Sequence, residues 1–194
     1  MTKKEIKRFL ELHPDKPISA AKFEYSWYLM PEASEIANTI LEETIKKTEE
    51  DLMYETKIAK IDNPEELLHL MRKKLSGLNR SALRKKILEY EEGMLPLIQR
   101  KALTSMQDIF IENTLHFLLH SKVNECKWII DNYQVFKSEY LKSMLCLVLG
   151  FRGDKSLIPM MMKETERFER YYPEESYEQA PLLAIQELAV RFYN

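Results

Sequence analysis

The chain has 194 residues, of which 45% are hydrophobic and 31% are charged, and its formal net charge is -2. This composition supports a buried core and excludes wholesale disorder, because apolar burial can offset the conformational entropy of the chain. The small net charge argues against a dedicated polyanion-binding domain, which usually carries a large positive excess. Two cysteines, Cys126 and Cys146, are too few for a secreted disulfide scaffold and favour a reducing cytoplasm.

Neither a membrane segment nor a secretory signal is expected. The most apolar stretch, residues 144–151, is less than half as long as a bilayer-spanning helix. Near the N-terminus, Phe9 and Leu10 are followed at once by Glu11, so the apolar core of a signal peptide is missing. We therefore expect a cytoplasmic protein with no membrane partner.

The scarcity of glycine and valine, with abundant leucine, methionine, glutamate and lysine, predicts an all-α protein. The spacing predicts a first amphipathic helix over 3–12, with Ile6 inward, and a second helix capped by Ser19. Helical spacing then continues over 32–61, which is long for one helix, so we expect a break near Asp51.

The sequence after residue 61 contains strong signals for the start of the next helix. Asn63 and Pro64 predict a helix start, because asparagine caps the free amides and proline needs no donor at the first position. Gly77 or Asn79 is expected to close that helix. The apolar residue Trp128 is predicted to lie in the core. Seven further helices are predicted in quick succession, at about 81–92, 94–103, 105–120, 122–133, 137–150, 154–171 and 179–193.

The most informative stretch is residues 149–160, LGFRGDKSLIPM. Gly150 and Gly153 are expected to end one helix with positive dihedral angles, and Asp154 or Ser156 to cap the next. Pro159 then falls in the first turn of that helix, where a missing amide donor costs little.

This stretch resembles the inter-helix turn of HEAT-like (armadillo-type) repeats, in which leucine-glycine, glycine-aspartate and isoleucine-proline recur in that order. Weaker echoes occur at 93–97 and 121–123. The resemblance implies helix pairs at 81–103, 105–133 and 137–171, with 179–193 opening a last pair. It implies a right-handed stack of antiparallel helix pairs, an α-α superhelix, over 79–194, with an N-terminal helical cap or subdomain over 1–78. One continuous domain and an irregular helical bundle remain the alternatives.

In function, the resemblance implies a non-enzymatic scaffold or adaptor that presents a surface to another macromolecule, most often a protein. The sequence contains no glycine-rich phosphate loop, dinucleotide fingerprint, nucleophile elbow or paired-cysteine metal motif. We therefore expect neither enzymatic activity nor a cofactor. The sequence does not identify the partner or the oligomeric state.

Basic residues concentrated over 72–101 suggest the alternative of a nucleic-acid-binding helical repeat, because phosphates favour a basic stripe. A solvated helix face is the competing interpretation. The candidate contacts to nucleic acid or another anion are Lys73, Lys74, Arg80, Arg84, Lys85, Lys86, Arg100 and Lys101.

Residues 32–66 have the opposite character, with eleven acidic residues against four lysines. This uneven charge distribution can steer a basic partner to one end of the chain or allow head-to-tail self-association. A second candidate interface is aromatic, because arginine and aromatic residues are favoured at interface centres. Its residues are Arg170, Tyr171, Tyr172 and Tyr177, and packing of the last helices is the competing interpretation.

Glu112, His116 and His120 follow one another at intervals of four residues and so share one helix face. Imidazoles at this spacing can share a metal ion, which makes a metal site a minor alternative. The zinc-protease signature needs a glutamate next to the first histidine, and Phe117 stands there instead. Polar residues lining a groove or facing solvent are the preferred interpretation.

Overall fold

A computed structural model describes residues 1–13, 39–40 and 46–193. All regular structure in these residues is helical, so the all-α prediction is confirmed for them. None of the helices described is long and apolar enough to cross a membrane. The second predicted helix, after Ser19, lies outside the described residues.

The described part of the chain contains ten α-helices, and a short 3₁₀ turn, Lys155–Leu157, precedes α9. Most of the predicted helices agree with them to within about one turn at either end, but α3 ends at Leu70, about two turns before its predicted end at Gly77 or Asn79. The helices are α1 (Lys3–Leu12), α2 (Glu49–Lys60), α3 (Pro64–Leu70), α4 (Gly77–Glu89), α5 (Glu91–Ala102), α6 (Asp108–His120), α7 (Cys126–Asn132), α8 (Glu139–Arg152), α9 (Ile158–Tyr171) and α10 (Gln179–Tyr193).

The described residues group into two compact units. The terminal unit contains residues 1–13 and 124–193, and the central unit contains residues 39–40 and 46–123. The division predicted between residues 78 and 79 lies inside α4, whereas the contacts divide the chain after Val123.

In the central unit, the extensive contacts join helices that are one or two places apart in the chain. α2 packs on α4, α4 on α6 and α3 on α5, and α3, α4, α5 and α6 also contact their immediate neighbours. Apolar residues at helical spacing supply this packing. Its fully buried side chains include Leu67, Met71, Leu83, Ile87, Met94, Ile98 and Phe110.

Polar caps define where the first central helices begin. The expected break near Asp51 is the start of α2, where the carboxylate of Asp51 and the hydroxyl of Thr48 form a capping box. Asn63 caps α3 as predicted, with Pro64 in its first turn. The predicted role of Gly77 and Asn79 is wrong. Ser76 caps α4 there, and the buried Asn79 amide donates to the carbonyl oxygen of Asp51 at 3.2 Å.

In the terminal unit, α10 is the central packing element. It packs most extensively on α8, and it also contacts α9 and α1. The two helices approach closely at Gly150, where an added Cβ would lie 2.6 Å from both Cα and Cβ of Ala184. Gly150 therefore lies inside α8 and permits close helix packing, so its predicted role as a helix terminator is wrong.

The turn after α8 is held by side chains. Gly153 is the C-cap of α8, with φ of -88° where a positive angle was expected. Arg191 of α10 donates to the carbonyl oxygens of Gly150 at 2.6 Å, Phe151 at 2.9 Å and Gly153 at 2.9 Å, so it satisfies acceptors at the open helix end. Asp154 caps the following turn, as predicted, by accepting from the amide of Ser156.

Candidate functional sites

The basic residues predicted to contact an anion do not share one face of α4. At 3.6 residues per turn, Arg80 and Arg84 lie about 40° apart, whereas Lys85 and Lys86 lie about 140° and 240° from Arg80. Arg84 is buried, and its Nε donates to Oδ1 of Asn113 on α6 at 3.2 Å. Arg84 is therefore a packing residue between α4 and α6, which contradicts its predicted place on a surface.

The remaining predicted basic residues have different surroundings. Lys86 forms an ion pair with Glu89 at 3.1 Å, and Arg100 lies 3.8 Å from Glu65. Lys73, Lys74 and Lys85 are exposed, and Lys101 is half-buried. These positive charges are spread over the α3–α4 connection, α4 and the end of α5, and not gathered into one stripe.

His116 and His120 stack face to face on α6, with ring centroids 4.0 Å apart and planes inclined by 11°. His116 is buried, which contradicts the expectation of a groove or solvent position. Burial, with the positive charge of Arg84 added to it, holds the pKa of His116 well below 6.5. Burial raises the pKa of Glu112 to about 7, so this carboxyl titrates near neutrality.

Stacked rings are poorly arranged to share a metal ion, because their nitrogens do not converge on one point. Among residues 1–13, 39–40 and 46–193, no three histidine, cysteine, aspartate or glutamate side chains are placed to hold one. Arg84, Asn113 and His116 are buried where α4 packs on α6. The neutral imidazole of His116 lies there close to the charges of Arg84 and Arg80.

Two residues of the predicted aromatic interface are exposed and two are half-buried. Tyr172 and Tyr177 have ring centroids 5.8 Å apart, and Tyr177 also lies 5.8 Å from the buried Phe168. Tyr171 is 62% exposed, and the guanidinium of the exposed Arg170 lies 5.3 Å from its ring centroid. Tyr172 and Tyr177 are therefore half-buried in an aromatic cluster with Phe168, whereas Arg170 and Tyr171 are exposed.

A buried polar cluster lies inside the terminal unit. Arg167 forms ion pairs with Glu139 and Glu164, each at 2.7 Å, and Lys142 pairs with Glu139 at 2.9 Å. The hydroxyl of Tyr133 donates to Glu164 at 3.0 Å. Every charge of this cluster has an opposite partner, and its ion pairs link side chains of α8 to Arg167 of α9.

A groove between α1 and α10 was not predicted. Its volume is about 360 Å³, and its apolar lining comes from Ile6, Leu10, Ala189, Val190 and Tyr193. Ile6 is 2% exposed and forms the floor, whereas Val190 is 59% exposed. Because the hydroxyl of Tyr193 donates to the carbonyl oxygen of Met1 at 3.1 Å, the two helices are joined at one end of the groove.

Charged side chains line the α1 side of this groove. They are Lys3, Lys7 and Glu11, which lie four residues apart and therefore share one helix face. Lys7 and Glu11 approach to 3.8 Å, but with 78% and 64% of their side chains exposed this pair is weak. The amphipathic spacing of α1 was visible in the sequence, whereas its packing against α10, some 180 residues away in the chain, had no local signal.

Comparison with protein-family models, with curated proteins and with solved structures found no match to this chain.

Proposed function

We propose that this chain is a HEAT-like helical-repeat scaffold that binds another protein and performs no catalysis. The observation that carries the proposal is the contact pattern of the central unit, in which each helix packs on helices one or two places along the chain. Stacked helix pairs produce this pattern, because each pair contacts only its neighbours. A closed four-helix bundle would also bring its first and fourth helices together.

The turn between α8 and α9 supports the same interpretation. Gly150 permits close packing, Gly153 ends α8, Asp154 caps the next turn and Pro159 lies in the first turn of α9. Arg191 of α10 donates a hydrogen bond to the carbonyl oxygen of Gly150 near the end of α8. These are structural roles in one inter-helix turn, and they assign no catalytic residue.

A protein partner is favoured over nucleic acid by the location of the charges. Nucleic-acid binding depends on basic residues aligned to neutralise consecutive phosphates. In the central unit Arg84 is buried and Lys86 and Arg100 have acidic neighbours. The groove between α1 and α10 is instead an apolar surface with a charged rim, which is the usual character of a protein interface.

The test is affinity capture of the tagged full chain from a lysate of its own source, with and without nuclease, followed by binding of the purified partner. A protein retained after nuclease and bound again at a fixed stoichiometry supports the scaffold. Recovery that disappears with nuclease, or binding that falls steeply with salt, would replace the protein partner by a nucleic acid.

A further inference from the structure

The α1 rim of the groove between α1 and α10 is long enough to accompany one face of a short helix. From Lys3 to Glu11 the rim advances eight residues, which is about 12 Å at 1.5 Å per residue. Apolar residues at i, i+3 or i+4, and i+7 of a docked helix extend over about 10.5 Å. The groove thus has room for two turns of an amphipathic helix, whose apolar side chains would cover Val190.

The charge of α1 indicates which kind of partner helix would bind in the groove. α1 carries four basic residues against two acidic ones, and its basic residues are all exposed. Lys3 and Lys7 lie on the rim itself, beside the apolar lining, and Glu11 marks the opposite end. Acidic side chains flanking the apolar face of a partner helix would meet Lys3 and Lys7, and this complementarity favours the correct partner over a basic one.

From the size of the groove and this charge pattern, we propose that the α1–α10 groove binds an acidic amphipathic helix of a partner protein. The proposal rests on the proposed function and names the chemistry of the partner. Leucine-sized side chains of the helix contact Leu10 and Val190, and its carboxylates pair with Lys3 and Lys7.

The direct test uses the full chain and a fluorescein-labelled synthetic helix of about 16 residues, with leucine at i, i+3, i+4 and i+7 repeats and mostly glutamate elsewhere. Fluorescence anisotropy measures its Kd. The same peptide with lysine for glutamate, and a scrambled peptide of equal composition, are the ligand controls. We expect binding of the acidic helix to be at least about tenfold tighter than binding of either control.

Protein variants locate the binding. The double variant K3E/K7E should weaken the acidic peptide about tenfold, because each reversal replaces an attraction by a repulsion. K3E is favourable in the first turn of α1, whereas K7E replaces the Lys7–Glu11 pair by two like charges, so circular dichroism of the double variant checks that α1 is retained. The matched control K137E/K163E reverses two exposed lysines elsewhere in the terminal unit and should change the Kd less than twofold. V190E should also abolish binding.

Other results would overturn the proposal. Equal binding of the acidic, basic and scrambled peptides, or unchanged binding by K3E/K7E and V190E, excludes this groove as the site. A concentration-dependent dimer of the wild type that K3E/K7E abolishes makes a second copy of the chain the occupant. A captured protein that K3E/K7E still retains leaves the scaffold function standing and refutes the groove, so the two proposals fail separately.

Discussion

Replacing Gly150 by alanine tests the packing of α8 on α10. The new Cβ would lie 2.6 Å from Cα and Cβ of Ala184, whereas carbon atoms in contact normally lie about 3.5–4.0 Å apart. One of those atoms belongs to the backbone, so a rotamer change cannot remove the overlap. The two helices must separate by about 1 Å along the most extensive interface of the terminal unit.

The sign of the change in stability caused by G150A shows whether steric overlap with Ala184 or helix propensity dominates at this position. A glycine in a helix interior costs about 1 kcal/mol relative to alanine, so G150A would stabilise the protein if there were no overlap. Overpacking costs about 1–3 kcal/mol, and we expect the upper end because a helix must move. The net prediction is a loss of about 2 kcal/mol, which lowers the urea midpoint by about 1 M for a slope of about 2 kcal/mol/M.

Urea unfolding followed by the fluorescence of Trp128 measures this loss in the terminal unit. A Trp27→Phe background shared by every variant makes Trp128 the single tryptophan of the chain. The added substitution A184G should recover part of the loss. An unchanged or raised midpoint for G150A would refute the close-packing argument.

Three further predictions concern other contacts. Because the pKa of Glu112 rises from 4.5 to about 7 on folding, its contribution to stability is present below pH 4.5 and is lost as the pH rises through 7. E112Q should therefore match the wild type in urea at pH 4 and exceed it at pH 8, and equal differences at both pH values would contradict this. R191A should lower the free energy of unfolding by about 1–2 kcal/mol, because the carbonyl oxygens at the end of α8 lose their donor. R191K should recover little of this loss, and an unchanged Tm for R191A would show that these hydrogen bonds do not stabilise the fold. I129A should cost about 2–4 kcal/mol by circular dichroism and W128A less, and the reverse order would show that the indole carries the packing.

Local signals in the sequence determined most helix boundaries. Asn63 followed by Pro64 predicts the start of α3 because capping depends on adjacent residues alone. The limits of α1 agree with the prediction for a similar reason: Thr2 and Glu5 form a capping box, and the apolar spacing ends near His13. Such signals require no knowledge of what the helix packs against.

The errors concern features that depend on a second helix. Trp128 was predicted to be core, but it is half-buried, its ring lies 5.4 Å from that of Phe136, and the adjacent Ile129 is fully buried. In a helix of seven residues, the apolar pattern is too short to fix which neighbour faces inward. Gly150 was predicted to end a helix, because its sequence neighbourhood does not reveal Ala184 across the interface.

The same dependence on packing explains why the candidate site differs from the residues selected in the sequence. Arginine and histidine attract attention because they can bind anions and metals, yet Arg84 and His116 are buried between α4 and α6. The α1–α10 groove is lined by common aliphatic side chains and rimmed by lysines that, singly, are ordinary surface residues. Only their juxtaposition in the terminal unit forms the groove that we propose as the binding site, so the groove variants test the proposed function more directly than substitution of the buried polar residues.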